Sequence, residues 1–129
     1  MTPAKPVHFI TSAREDLRGF PDPVKYTMGA AIREAQLGGK SEAAKPLKGY
    51  GGAGVLEVVE DHEGSTYRVV YTVRMPRAVY VLHASQEKST LGIRTPRRHL
   101  ELVEQRLRRA QEHYAENYQG SVEGPPGPG

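Results

Sequence analysis

The chain has 129 residues, 37% of them hydrophobic, and this length and composition suit one domain with one core. It contains no cysteine, which excludes disulfides, thiol catalysis and cysteine-ligated zinc and favours a reducing compartment. There is no apolar leader and no stretch of about 20 apolar residues that could span a membrane. We therefore expect a cytoplasmic protein that does not engage a membrane.

Positive charge is concentrated in particular segments, although the formal net charge is only +3. One group lies between residues 86 and 99 and the other between residues 40 and 48; together they comprise Lys88, Arg94, Arg97 and Arg98, and Lys40, Lys45 and Lys48. Each lysine or arginine beside a phosphate displaces condensed counterions, so such groups favour a polyanion as the partner.

The first third of the chain predicts a strand and two helices. A strand at Val7 to Ile10 leads into a short helix that begins with a capping box at Ser12 and ends near Gly19. A second helix begins at Asp22, with proline at its first position, and ends at the glycine pair 38–39. Its apolar residues recur at helical spacing and form one buried stripe, consisting of Val24, Met28, Ala31, Ile32 and Ala35.

The rest of the chain predicts a loop, three strands, a long helix and a tail. Residues 40–54 form a Gly-rich basic loop, and the strands span residues 55–60, 67–74 and 78–85, joined by short links that imply an antiparallel meander. The last helix runs from residues 95–96 to about 118. The predicted fold is α+β: a small antiparallel sheet with two N-terminal helices packed on it and a C-terminal helix. We expect one domain over residues 1–118 and a disordered Gly/Pro-rich tail over 119–129.

Alternation along the strands divides the sheet into an apolar face and a polar face. We assume that Arg74 lies opposite Val79 and that Glu60 lies opposite Tyr67. The apolar face, which we expect to pack against the helices, then contains Leu56, Val58, Tyr67, Val69, Tyr71, Val73, Tyr80, Leu82 and Ala84. The other face contains Glu57, Arg68, Val70, Thr72, Arg74, Val81, His83 and Ser85. We expect this second face to be half-open, so that an RNA strand could lie on it.

Other motifs carry less weight. Residues 49–54 match G-x-G-x-x-G, but a strand follows them where a dinucleotide site needs a helix. The histidines show no metal-ligand spacing, so neither a metal nor a cofactor is expected. Arg68 lies in mid-strand between apolar neighbours, and pairing with Glu57 is as good an explanation as a functional role. Arg106, Arg108 and Arg109 alternate with glutamates and are expected to be a solvated helix face.

Residues 79–96, Val-Tyr-Val-Leu-His-Ala-Ser-Gln-Glu-Lys-Ser-Thr-Leu-Gly-Ile-Arg-Thr-Pro, resemble the phage-derived, HigB-like branch of the RelE/ParE toxins. Further support comes in chain order from Lys48, Leu56-Glu57, Tyr67-Arg-Val-Val-Tyr71, Leu82-His-Ala84, Lys88-Ser89 and Thr95-Pro96. The resemblance implies a RelE-like fold and the toxin of a type II toxin-antitoxin system. It also implies metal-independent cleavage of mRNA, usually on the ribosome, and a cognate antitoxin, often a helix-turn-helix DNA-binding protein.

The resemblance implies roles for individual residues as well. In such cleavage the ribose 2′-OH attacks the adjacent phosphate, so the enzyme supplies a base, a charge clamp and a proton. We expect Arg68 and Lys88 to be the clamp, His83 to exchange a proton near neutral pH, and Lys48 to be a second phosphate contact or a base. Backbone phosphates are expected to contact Arg74, Arg77, Arg94, Arg97, Arg98 and Lys45.

The sequence departs from the family pattern at several positions, and other functions stay open. Ser85 and Glu87 stand where the family tends to have an aromatic and a lysine, and Val58 stands where it has an arginine. One alternative is a ParE-like toxin that inhibits DNA gyrase and cleaves nothing. Another is a degenerate, non-catalytic protein that only binds its partner.

Overall fold

The computed structural model describes residues 3–50, 54–88 and 95–119. Within those ranges the strands are β1 (Val7–Phe9), β2 (Lys45–Pro46), β3 (Val55–His62), β4 (Ser65–Thr72) and β5 (Val79–Lys88). The α-helices of the same ranges are α1 (Ala13–Arg18), α2 (Asp22–Gln36) and α3 (Arg97–Tyr114), and α3 continues as a π-helical turn, Ala115–Gln119. The predicted tail from residue 120 onward lies outside the described residues.

The described strands form one five-stranded sheet in the order β1-β5-β4-β3-β2. β3, β4 and β5 pair antiparallel in the predicted meander, which confirms the α+β fold class. The short strand β2 was not predicted; it lies within the predicted loop 40–54 and pairs antiparallel to β3. The sheet is mixed and not wholly antiparallel, because β1 pairs parallel to β5. Helices α1 and α2 follow β1 and carry the chain away from the edge at which that strand lies, so β1 is not part of a hairpin.

The helices form where their sequence patterns predict them. The predicted stripe of α2 is buried, since its apolar spacing matches the helical period. The prediction of a capping box at Ser12 is wrong. The Ser12 hydroxyl donates a hydrogen bond to the Asp16 carboxylate at 2.9 Å and caps no backbone N–H. Its backbone, at φ −90° and ψ 6°, lies outside the extended region typical of a capping residue.

Both faces of the sheet are covered by helices in the described part of the chain. Helices α1 and α2 pack on one face, where Val24 and Met28 contribute to a core with Val58 and Val69. On the other face, buried residues of α3 join strand residues in a second core, which includes Val70, Tyr80, Leu82, Val103 and Leu107. The expectation that this second face is half-open is wrong, because the apolar stripe of α3 also needs a surface on which to bury.

A β-bulge in β5 changes which of its residues face α3. The assumed pair of Glu60 with Tyr67 is confirmed, and Arg68 lies opposite Ser85 as expected. The register then shifts between Val70 and Tyr71.

Beyond that point Tyr71 lies opposite Val81, and Leu82 is the extra residue of the bulge. Consequently Tyr80 and Leu82 are part of the core under α3, while Val81 is part of the core under α1 and α2. Each of these three residues therefore lies on the opposite face of the sheet from the one predicted for it. The assumed pairing of Arg74 is also wrong, since β4 ends at Thr72.

Candidate functional site

Polar residues gather where the first turns of α3 lie against β3, β4 and β5. We call this group the β5–α3 cluster; its members are Glu57, Arg68, His83, Glu87, Thr95, Arg98, His99 and Arg106. Strand alternation places Arg68 and His83 on the face that α3 covers. Thr95, just before α3, and three residues of α3 complete the group. The cluster therefore depends on the docking of α3.

Arg68 is buried in an ion pair. Its guanidinium Nη1 lies 3.1 Å from Glu57 Oε2 and 3.3 Å from Thr95 Oγ1, and the Thr95 hydroxyl donates to the same Glu57 oxygen at 2.7 Å. Only 4% of the Arg68 side chain is exposed. The alternative that Arg68 pairs with Glu57 is thus confirmed. A phosphate can reach this guanidinium only if Thr95 and the start of α3 move aside.

A chain of hydrogen bonds links His83 to the surface through His99. Arg106 Nη1 lies 3.2 Å from His83 Nδ1, His83 Nε2 lies 2.7 Å from His99 Nδ1, and His99 Nε2 lies 3.3 Å from Glu87 Oε1. Arginine can only donate and an ionised carboxylate can only accept. Each imidazole in this arrangement is therefore neutral, accepts at Nδ1 and donates from Nε2.

The charge state of His83 differs from the expected one. Burial above all, and then the electrostatic influence of His99 and Arg106, lowers the pKa of His83 to about 4. The expectation that His83 changes charge near neutral pH is wrong, because it was based on the ordinary pKa of an exposed imidazole. Any role of His83 at neutral pH must be that of a neutral hydrogen-bonding group.

Arg106 is not part of a solvated helix face. Its guanidinium Nη1 donates to the Leu82 carbonyl at 3.0 Å as well as to His83, and burial lowers its pKa. Leu82 is the extra residue of the bulge, so its carbonyl is available to a side chain from α3. By contrast, Arg108 is exposed and pairs with Glu104 at 3.5 Å, as its spacing predicts.

Lys88 does not share a face with His83. The register is regular from Ser65 to Val70, so alternation along β5 puts Lys88 on the opposite face from Glu87 and His83. Lys88 is exposed at the end of the strand. On the face that α3 covers, the last residue of β5 is the acid Glu87.

The other expected cations are dispersed. Arg97 and Arg98 are exposed at the start of α3, and Arg98 Nη2 lies 2.9 Å from Glu87 Oε1. Arg77, whose guanidinium lies over the Tyr118 ring, precedes β5 and is about 30 Å from Lys88 at the rise of an extended strand.

The remaining candidates lie farther from the cluster or cannot be placed. Lys45 is on β2, about 14 Å from β5 at the usual strand spacing. Lys48 is exposed in the loop that follows β2, and Arg74 is exposed just after β4. Arg94 lies outside the described residues.

The described residues give no sign of a metal centre or a membrane span. None of their His, Asp and Glu side chains form a group of three or more that could hold a metal ion. No helix in the described ranges is long and apolar enough to cross a membrane.

A sequence profile of the family described as "Phage derived protein Gp49-like (DUF891)" matches residues 15–108. The chain belongs to the Gp49-like family. This is a phage-derived family of RelE/HigB-type toxins, which confirms the resemblance drawn from the sequence. The matched residues of this Gp49-like protein run from α1 into α3 and contain the whole β5–α3 cluster.

Comparison with solved structures found a similar chain, whereas comparison with curated protein sequences did not. A chain of the toxin-antitoxin complex RelBE2 from Mycobacterium tuberculosis is 24% identical to this Gp49-like protein, with a TM-score of 0.39, and the alignment covers 69% of this chain and 98% of that one. No curated protein sequence matches the chain significantly.

His99, Thr95 and Arg106 were not predicted to be members of the site of this Gp49-like protein. The helical period predicts that His99 lies on the buried side of α3, because it is four residues before the buried Val103. The contacts of Thr95 and Arg106 depend on how α3 docks and on the bulge in β5. No local pattern in the sequence marks them.

Proposed function

We propose that the protein is the toxin of a type II toxin-antitoxin system and a metal-independent endoribonuclease that cleaves mRNA, on the ribosome, and so inhibits translation and growth. The observation that carries this proposal is the match of residues 15–108 to a family of RelE/HigB-type toxins. We also propose the cytoplasm as its location and a cognate antitoxin, a helix-turn-helix DNA-binding protein, as its partner.

Cleavage of this kind needs cations that neutralise a phosphate while the 2′-OH attacks it. Arg97, Arg98 and Lys88 are exposed around the start of α3 and the end of β5, so we assign them the phosphate contacts. Arg68 supports these phosphate contacts indirectly, because its hydrogen bonds with Glu57 and Thr95 fix the start of α3.

The more distant cations suit a long polyanion better than the reacting phosphate. We assign Lys45, Lys48, Arg74 and Arg77 to phosphates of the RNA or the ribosome beyond the cleaved bond, since all four are exposed. Contacts of this kind raise the affinity for a nucleic acid but give no sequence specificity.

Induction of the chain in a bacterium without its antitoxin tests the proposal. We expect growth to stop together with incorporation of labelled amino acids. Lys88→Ala should relieve both effects at least in part, because it removes a phosphate contact, whereas Arg33→Ala, which removes an exposed cation of α2 outside the proposed site, should not. Continued protein synthesis in arrested cells would contradict the proposal.

A non-cleaving function is the second candidate, and one observation favours it. Arg68 and His83, both expected to act on the phosphate, are buried and hydrogen-bonded within the protein. A ParE-like gyrase inhibitor or a protein that only binds its partner needs neither group. Broken or unsupercoiled DNA with intact transcripts after induction would support the gyrase alternative, and normal growth would support the partner-binding one.

A further inference from the structure

We propose that the Glu87 carboxylate accepts the proton of the attacking 2′-OH, and that His99, His83 and Arg106 are positioning residues behind it. This inference rests on the proposed ribonuclease function and names the base of that reaction. It replaces the proton exchange first expected of His83, whose ring nitrogens are occupied by Arg106 and His99.

Glu87 is the acid-base group of the cluster with the best access to solvent. Its side chain is 23% exposed, compared with 14% for Glu57 and 9% for His99. It lies opposite Thr66 near the end of β5, on the same face as His83. A bound RNA strand could therefore reach Glu87 without displacing α3.

The surroundings of Glu87 are suited to a phosphodiester. Arg98, 70% exposed, contacts its Oε1, and the exposed Arg97 precedes Arg98 at the start of α3. A carboxylate on a phosphate-binding surface weakens RNA binding by charge repulsion. The ion pair with Arg98 offsets part of that repulsion, so Glu87 can lie beside a bound phosphodiester.

The hydrogen-bond chain fixes how the carboxylate is presented. Arg106 donates to His83, which sets the direction of every later bond, so His99 offers Glu87 an N–H and no lone pair. The bonds from His99 and Arg98 both end on Oε1. Oε2 is then the oxygen that takes the proton.

The proposed step is balanced without a metal or a cofactor. The 2′-O–H bond breaks and its proton goes to Glu87 Oε2 while the 2′-oxygen forms a bond to phosphorus. The bond from phosphorus to the 5′-oxygen breaks, its electron pair goes to that oxygen, and the oxygen takes a proton from water. The Glu87 carboxyl then returns its proton to the hydroxide that remains, leaving a 2′,3′-cyclic phosphate and a free 5′-OH.

Cleavage of a 5′-labelled mRNA in a translating bacterial extract, with the purified full-length chain, tests this role. Glu87→Gln keeps an oxygen for Arg98 and His99 but cannot take the proton. We expect kcat to fall by about 10²- to 10⁴-fold, the usual contribution of a general base. KM should stay the same or fall, since a negative charge beside the RNA is lost.

Controls separate this role from a structural one. Arg98→Ala should raise KM, because it removes a phosphate contact, and should lower kcat less than Glu87→Gln does, because the base and its bond from His99 remain. Glu101→Gln, an exposed acid of α3, should leave both constants unchanged. Cleavage by Glu87→Gln at the wild-type kcat, or an equal fall in Glu101→Gln, would overturn the role of Glu87 alone. Failure of the wild-type chain to cleave would overturn the proposed function and the role together.

Discussion

Arg68 was proposed as a functional residue because of its positive charge, and its burial in an ion pair changes that interpretation. In mid-strand, a cation between apolar neighbours indicates either an exposed functional group or a buried ion pair. The sequence allowed both, and it named Glu57 as the partner correctly because the two residues lie on the same face of adjacent strands. What it could not show was the cover provided by Thr95, which comes from a distant part of the chain.

The buried pair predicts a large stability effect for Arg68→Ala. Removing one partner leaves Glu57 buried without its counter-charge, so the free energy of unfolding should fall by about 3–5 kcal/mol in urea titrations. A loss of toxicity in this variant would therefore partly reflect loss of fold.

Two further variants serve as controls for the stability of Arg68→Ala. Arg109→Ala, which removes an exposed arginine of α3, should change the free energy of unfolding by no more than about 0.5 kcal/mol. The double variant Glu57→Leu with Arg68→Met should be more stable than Arg68→Ala, since no unpaired charge remains. An Arg68→Ala protein as stable as the wild type would contradict the structural role given to the pair.

At the scale of elements, α3 determines the properties of the site. Val103, Leu107, Ala110 and Tyr114 recur in its sequence at helical spacing, which predicts a buried stripe, and the structure confirms that all four are buried. The bulge in β5 was not predictable, because an extra residue leaves no mark in a run of apolar residues such as 78–82. Its effect reaches α3, since the Leu82 carbonyl accepts a hydrogen bond from Arg106.

The contact between α3 and β5 predicts a dependence of stability on pH. The pKa of His83 is about 4 in the folded protein and about 6.5 in an unfolded chain, where no burial lowers it. Between these values the unfolded state binds more protons, so the stabilisation is complete above about pH 6.5 and is lost as the pH falls toward 4. The loss should be on the order of 3 kcal/mol in urea titrations at a series of pH values.

Burial contributes most to this effect, and charged or titratable groups on α1, β5 and α3 modify it. His99 and Arg106 oppose its protonation, whereas Asp16 and Glu87 favour it. His83→Gln, which can keep a donor and an acceptor without titrating, should flatten the pH profile. His62→Gln, in a histidine of β3 away from α3, should not. A His83→Gln profile as steep as that of the wild type would show that another group is responsible.

At the scale of the whole molecule, local patterns predicted the elements and their order, but long-range packing decided the site. Alternation and helical period are properties of neighbouring residues, so the helices, the strands other than β2 and most of the register followed from the sequence. The parallel pairing of β1, the cover of α3 and the place of Lys88 follow from tertiary contacts. For this reason the family was recognisable, while of the expected set only Arg68 and His83 lie in the β5–α3 cluster, and Lys88 and Lys48 lie outside it.

The central claim is that the protein stops growth by cutting mRNA, and mapping of 5′ ends across all transcripts tests it most directly. The chain is induced without antitoxin as wild type, Arg98→Ala or the control Arg109→Ala. We predict new 5′ ends within translated reading frames for the wild type and Arg109→Ala, and far fewer for Arg98→Ala at equal protein level. Growth arrest by the wild type with no new 5′ ends would contradict the account.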